Sequence, residues 1–502
     1  MSKQNKYFDI YPAVFYPSAL ITILFVLFTI VFPEQAGQLF GSFQGFMTQK
    51  LGWLLSVGIN YYLLFVVFLA CSKFGRTRLG GPEAKPDFST FSWVAMLFSA
   101  GMGIGLVYFS VAEPMYHFSN PIESDLSDVQ KAKYAMKHTF FHYGLHVWGI
   151  YALLGIALAY FCFNHKLPLS LRSTVYPFIG ERIHGWIGNS IDVLAVLATL
   201  FGLATSLGFG AIQFSTGVSL LPGISNGLSL QIVAIIGITS IAILSVLSGL
   251  TKGLKYLSNL NMILAIVLVL FVLFIGQTPL LLDGFIENVG IYLDDFFVIS
   301  TFRGAYASSG EWFKGWSMFY WAWWISWAPF VGTFIARISK GRTIREVAIY
   351  GLLLPSLFSF FWMSVFGGTA FELQFQEKID IAAAVGADSS KGLFLVLEQL
   401  PLTGITSFLT VLLVATFFVT SSDSGSLVVD YMTSGGKLDS PKGQKVFWAS
   451  MEGAIAIALL VGGGLSALQS ASLSTGFAFS VVLVVVSLSL LKALRNDRPK
   501  EG

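Results

Sequence analysis

Residues 313–337 read FKGWSMFYWAWWISWAPFVGTFIAR, and this stretch decides the class of fold. No charge interrupts it between Lys314 and Arg337. A helix of roughly 20 uncharged residues crosses the hydrocarbon core of a bilayer. Within it Trp316, Tyr320, Trp321, Trp323, Trp324 and Trp327 crowd into a dozen residues. Tryptophans of membrane proteins usually gather in belts at the interface. A belt accounts for Trp316 or Trp321, but not for large rings carried two turns deep into a span. At helical spacing Tyr320, Trp324 and Trp327 share one face, with Trp323 beside them.

The whole chain has the same character. Its 502 residues are 55% hydrophobic and 11% charged, with a mean hydropathy of +0.73. A soluble domain carries about 25% charged residues, so a soluble enzyme is excluded and an all-α polytopic membrane protein is implied. The net charge of +3 and the scatter of basic residues argue against nucleic acid as a partner. Cys71 and Cys162 lie near the ends of apolar runs and imply no disulfide framework. The N-terminus reads as an uncleaved first span, since no small-residue cleavage site follows its first apolar run.

Apolar runs separated by polar breaks predict twelve spans, near 12–32, 51–71, 90–116, 138–163, 190–220, 231–249, 257–276, 313–337, 347–368, 402–432, 446–464 and 471–492. The segment 285–300 (FIENVGIYLDDFFVIS) is amphipathic and too acidic to span, and it fits a helix lying in the interface. With the N-terminus inside, 22 of the 30 Lys plus Arg fall on the cytoplasmic side, which places both termini in the cytoplasm. Spans 3, 5, 8 and 10 carry the glycines, tryptophans and hydroxyls. Their five-span spacing suggests a five-plus-five inverted repeat preceded by two extra helices. The chain then divides into a short N-terminus (1–11), two peripheral spans (12–89), a first repeat (90–276), an external loop with the interfacial helix (277–312), a second repeat (313–492) and a short tail (493–502).

Four groups of residues carry chemistry. Gly101-Met102-Gly103-Ile104-Gly105 in span 3 weakens a helix by about 1 kcal/mol per glycine. It fits either close helix packing or a local unwinding, whose N–H groups suit a carboxylate and whose carbonyls suit a small cation. In span 4, Trp148 and Tyr151 share a face, with Tyr143 a turn and a half earlier. Together with span 8 they predict an aromatic cage for a quaternary ammonium, which has no N–H to donate and gains about 0.5–2 kcal/mol from each ring face. Thr420 to Ser426 (TSSDSGS) in span 10 offers hydroxyl oxygens suited to sodium, and Thr199 in span 5 is a further candidate. His138, His142 and His146 follow at four-residue intervals. An intramembrane His-metal oxygenase is the competing class, but His117, His165 and His184 lack paired spacing and too few ligands remain. The row reads as satisfied or proton-relaying histidines. Glu113, Asp192, Asp423 and Glu452 are functional candidates by position, without assignable partners; Glu113, before Pro114, also fits a cap at the outer end of span 3.

The segments GMGIGL…AEP (101–114), FYWAWWISWAPFVGTFIARISKGRTIRE (319–346), FFVTSSDSGS (417–426) and TKGLKYLSNLNM (251–262) together resemble the betaine/carnitine/choline transporter family along nearly all of the chain. The resemblance implies a LeuT-type core in spans 3–12 and a homotrimer in the cytoplasmic (inner) membrane, surrounded by lipid. Trp148, Tyr151 and Trp324 match the family's substrate cage, with Trp323 and Trp327 close by. Tyr143 departs from it, standing where the sodium-coupled glycine betaine carriers have tryptophan. The run Met102, Gly103 and Gly105 is similar to the betaine type. Choline carriers of the family have an acid at the position of Gly105, so the resemblance favours a zwitterion. Thr420 and Ser421 match the second sodium site, with Phe417 and the carbonyls of Ser99 and Met102. Thr199 and Phe330 match the first, but Leu203 stands in place of its second threonine, so that site is altered or absent. No arginine or lysine occurs in spans 5 or 10, where sodium-independent antiporters of the family place a basic or thioether side chain.

The implied activity is sodium-coupled uptake, by alternating access, of glycine betaine or an analogue such as dimethylsulfoniopropionate, with Na+ as coupling ion and no other cofactor. A proton-coupled choline carrier or a carnitine-type precursor/product antiporter is the alternative. The short segment after span 12 (KALRNDRPKEG) predicts transport with little osmotic threshold.

Overall fold

The computed structural model describes residues 8–101, 103–123, 125–248, 253–305, 310–437 and 440–497. Among these the regular structure is helical, apart from one isolated antiparallel bridge between Arg78 and Thr343. Nine helical stretches among the described residues are long and apolar enough to cross a membrane: Pro12–Val31, Pro33–Cys71, Asp128–Asn164, Trp186–Val218, Leu228–Leu247, Leu257–Ile275, Ile344–Phe375, Thr403–Thr433 and Lys442–Asn496. The architecture is that of a multi-pass membrane protein.

Two helical segments that build the site fall outside this set for physical reasons. The tryptophan helix, Ser317–Ile338, is long enough at 22 residues, but its indoles, serines and tyrosine lower its hydropathy. The segment of the glycine run is divided into Thr90–Gly101 and Ile104–Ser119, each too short to span alone. This interruption falls within the run where sequence allowed an unwinding.

The tryptophan helix lies at the centre, packed on Leu145–Ala159, Trp186–Val218 and Lys442–Asn496. Gly476 of the last helix presses against it so closely that a Cβ there would stand 2.1 Å from the Ala322 carbonyl oxygen. Contact of this kind needs a residue without a side chain.

Several elements differ from the sequence reading. Span 4 is not one helix: Asp128–Tyr143 and Leu145–Ala159 meet at Gly144, whose backbone (φ −97°, ψ −144°) leaves the helical region. A Cβ on Gly144 would lie 2.6 Å from the Phe140 carbonyl and 2.7 Å from the Phe360 ring. The region between spans 1 and 2 is itself helical, Pro33–Phe46, joined through a π turn to Gly52–Cys71. Spans 11 and 12 form one 55-residue run, broken only where Gly463 (φ 158°) and Gly464 (φ 59°) leave the helix. At 1.5 Å per residue an unbroken helix of that length would reach about 80 Å, far beyond any bilayer. The segment placed in the interface is helical as Thr278–Asp294 and Phe296–Thr301.

Gly476→Ala is expected to lower stability by about 1–3 kcal/mol, as overpacking does. Gly237→Ala, in a helix with nothing within 4 Å of the added carbon, should be neutral or stabilising by up to about 1 kcal/mol. Thermal melting of the two variants in detergent reads the difference, and equal melting would remove the close contact between the last helix and the tryptophan helix.

Candidate functional site

The site starts from the interrupted helix. Ile104–Ser119 begins after Gly103, which is extended (φ −145°, ψ 176°) and gives no side-chain cap. The Leu106 N–H donates to the Gly103 carbonyl at 3.1 Å. Side chains from neighbouring helices also bond carbonyls of its first turn: the Tyr143 hydroxyl donates to Gly105 O (3.0 Å) and the Trp362 indole to Leu106 O (3.1 Å). Gly105 has no room for a side chain, since a Cβ would lie 2.9 Å from the Trp323 ring.

Beside the break is a cavity of about 470 Å³. Gly103 and Gly105 form one wall, Tyr143, Trp148 and Tyr151 a second, and Trp323, Trp324 and Trp327 a third. The cage residues named from the sequence therefore converge, although Tyr143 and Trp148 stand on opposite sides of the Gly144 break. Met102 lies outside the described residues. Ser206, Val147 and Val331, which the cage reading did not include, also line the cavity.

Hydrogen bonds fix the ring planes. Trp324 Nε1 donates to the His142 carbonyl (2.9 Å), and Trp327 Nε1 donates to Gly202 O (2.9 Å) and Ser206 Oγ (3.1 Å). With their N–H groups engaged, the indoles offer π surface to the cavity. Trp148 meets Tyr151 edge-on at 5.5 Å, and Tyr143 meets Trp324 at 5.6 Å and 72°. Trp323 stacks on Trp324 at 4.8 Å and 10°. The Tyr151 hydroxyl and Trp323 Nε1 are buried without a hydrogen-bond partner among the described residues, so this apolar cavity still holds polar groups for a solute.

The sodium candidates are less completely described. Thr420 Oγ1 accepts from Asn261 Nδ2 at 2.8 Å and lies 3.0 Å from Thr416 O. Asn261 Oδ1, on the amide that reaches this hydroxyl, is buried without a hydrogen-bond partner among the described residues. Sequence reasoning missed Asn261, whose signal was an amide at the start of a long apolar run. Ser421 is half-buried and Phe417 buried. Ser99 stands in Thr90–Gly101 with its side chain outside the described ones. At the first site Thr199 bonds back to Ala195 O (2.8 Å), Phe330 packs 5.5 Å from Trp327, and Leu203 fills the space over Gly425. Thr205 ties Trp186–Val218 to the last helix through Leu468 O and Ser472.

The acidic residues all have partners. Glu113 is no outer cap: it is fully buried. His142 Nδ1 lies 2.6 Å and His117 Nε2 3.3 Å from its Oε1, and the Tyr320 hydroxyl donates to Oε2. Because of the Gly144 break the histidine row is divided, and His146 turns instead to Asn60 (3.3 Å). Ligand atoms of Glu113, His117 and His142 come within 4.8 Å of one another. The Trp312 indole donates to His117 Nδ1 and Ser317 bonds His142 Nε2, so His117 Nε2 carries a proton toward Glu113, and His142 Nδ1 does so when Ser317 is the donor, rather than offering lone pairs to a metal. Asp192 pairs with Arg172 at 2.6 Å, Asp423 accepts from Ser245, and Glu452 from Ser422.

Membrane-crossing helices packed around a buried aromatic cavity define a carrier of small solutes. Residues 13–499 match the betaine/carnitine/choline family of transporters (BCCT). The chain is 44% identical to a glycine betaine/proline/choline transporter of Vibrio parahaemolyticus, over 97% of this chain and 91% of that one. It is 41% identical to the glycine betaine transporter OpuD of Bacillus subtilis, over 97% and 95% of the two chains. With the high-affinity choline transport protein of Escherichia coli it shares 40% identity, over 99% and 74%. The chain belongs to the betaine/carnitine/choline transporter family. The family and these relatives are transporters, not enzymes.

Trp324→Leu keeps the wall apolar but removes a ring face worth about 0.5–2 kcal/mol and the anchor to His142. Glycine betaine binding should weaken by about tenfold or more, with the variant still folded by size-exclusion chromatography. Near-normal affinity would take the tryptophan helix out of the cage.

Proposed function

We propose that the protein takes up glycine betaine, or a close quaternary ammonium or sulfonium zwitterion such as dimethylsulfoniopropionate, by sodium symport with alternating access. The observation that carries this reading is the cavity where the aromatic walls and the Gly103–Gly105 break meet. Its rings suit a methylated cation. The Leu106 N–H is taken up by Gly103 O, whereas the N–H groups of Ile104 and Gly105 at the helix start have no acceptor within their own helix and suit a carboxylate. A zwitterion of that size satisfies both, and two of the relatives above are named for glycine betaine.

The architecture is read as twelve spans with five-plus-five repeats from residues 90–276 and 313–492, in the inner membrane with both termini cytoplasmic, assembled as a homotrimer. Support for twelve comes from adding the tryptophan helix and the divided glycine helix to the nine stretches, and from counting the run broken at Gly463–Gly464 as two. The repeat, the trimer and the termini rest on the sequence pattern and the resemblance.

A zwitterion has no net charge, so the membrane potential does no work on it. Sodium supplies that work, about 2.3 kcal/mol per 100 mV for each ion, or roughly 50-fold accumulation. Thr420, Ser421 and the amide oxygen of Asn261 form a hard-oxygen set that would hold it. Leu203 offers no oxygen at the other position, which favours one ion per substrate.

Uptake of glycine betaine into proteoliposomes should stop when potassium replaces sodium, and Thr420→Ala should abolish sodium activation. Uptake that continues without sodium would leave a proton-coupled carrier or an exchanger. Initial rates against sodium concentration should give a Hill coefficient near one; a value clearly above it, with a reversal potential for two ions, would restore the first site.

A further inference from the structure

Among the described residues no acidic side chain lines the cavity, yet a buried carboxylate stands two hydrogen bonds from it. The Tyr143 hydroxyl, on the cavity wall, lies 3.1 Å from the Tyr320 hydroxyl, and Tyr320 donates to Glu113. Glu113 is also two helical turns from Gly105, on the same face. We propose that Glu113 and His142 form a proton-binding site that gives the cavity one removable negative charge and thereby sets its preference between a net cation and a zwitterion. The inference rests on the reading of this cavity as a quaternary ammonium site.

The protons can be assigned from the donors. An indole N–H only donates, so His117 Nδ1 accepts from Trp312 (3.2 Å) and His117 Nε2 carries its proton toward Glu113. In the ionised state Glu113 also receives the His142 Nδ1–H and the Tyr320 O–H, while His142 Nε2 accepts from Ser317 (2.8 Å). In that state three donors satisfy one carboxylate, and the cluster carries a net charge of about −1. An added proton cannot go to His117, whose other nitrogen faces an N–H. It can go to His142, because the Ser317 hydroxyl can turn from donor to acceptor. His142 then donates at both nitrogens and the cluster is neutral.

Groups on the surrounding elements are engaged elsewhere. On Asp128–Tyr143, Lys137 pairs with Asp295 (2.5 Å) and His138 Nδ1 bonds Tyr134 O (2.9 Å). Beside Trp312, Lys314 pairs with Glu311 (2.5 Å). On Ile344–Phe375, Glu372 accepts from Gln376 (3.0 Å), and beyond it Lys391 lies 3.9 Å from Asp388. Among the described residues no lysine or arginine forms an ion pair with Glu113.

A negative cluster close behind Tyr143 attracts an ammonium in the cavity. In a zwitterion the carboxylate offsets part of that attraction, whereas a cation such as choline takes all of it. Proton and cation therefore oppose each other, and by linkage each weakens the other equally.

The test uses the full-length protein in nanodiscs at fixed sodium, with choline and glycine betaine as probes and tryptophan fluorescence as readout, over a pH series that runs downward from neutral. Choline affinity should fall about tenfold on acidification, the equivalent of one pKa unit of coupling, and glycine betaine affinity clearly less. Glu113→Gln should hold choline at its weak, acid value at every pH. His142→Gln can still donate to Glu113 but cannot take up a proton, and should hold choline at its tight value. NMR of isotope-labelled histidine in the wild type should show His142 becoming doubly protonated in the same range, without any solute. If both probes bind with a choline-to-betaine ratio independent of pH, the inference falls and the substrate reading stands. If neither probe binds, the substrate reading fails and the link to selectivity with it, while the NMR result alone decides the proton site; a His142 that does not titrate overturns that too.

Discussion

In hydrocarbon every backbone N–H and C=O has to find its partner inside the protein, and a helix that starts afresh at Ile104, after the extended Gly103, leaves its first N–H groups without acceptors of its own. Tyr143 and Trp362 reach in from two other helices to take the Gly105 and Leu106 carbonyls. The tryptophan helix can come close because Gly105 has no side chain, and the last helix backs it at Gly476. The aromatic cavity is thus the space left beside a helix start that lies at membrane depth, and Tyr143 both lines it and bonds the first turn of that helix.

Much of this was legible in the sequence because rings and glycines announce themselves. Three glycines at alternate positions disfavour a helix wherever they occur, and five indoles near one another cannot all sit at an interface. The acid–histidine cluster was not legible. Its members stand 29 residues (Glu113 and His142) and 207 residues (Glu113 and Tyr320) apart, and helical periodicity reports which face a residue takes, not what it meets. The histidine row misled for a related reason: a four-residue interval implies a shared face only while the helix continues, and Gly144 ends it. The last two spans show the opposite case, since two glycines with positive φ turn the chain with scarcely any polar loop to mark the place.

The ion candidates show how one substitution acts through packing as well as chemistry. Leu203 does more than lack a hydroxyl. Its methyl groups occupy the space above Gly425, where a Cβ would stand 2.1 Å from Leu203 Cδ1, so the two helices interlock at that point. A hydroxyl introduced at 203 would leave a void as well as a ligand. Around Thr420 the reverse holds: Asn261 places an amide where an apolar residue would be expected, and its oxygen has no partner among the described residues.

The parallel indoles of Trp323 and Trp324, 4.8 Å apart with planes 10° from coincidence, have a consequence of an optical kind. Two identical chromophores held so near and in fixed orientation share their excited states, and the shared transition is split and acquires rotational strength to the extent that the two in-plane transition moments are not parallel. The near-ultraviolet circular dichroism of the protein therefore contains a signal that originates at the cavity wall. Any rearrangement that tilts one indole against the other alters that signal, so a change at the cavity wall can be followed without a label.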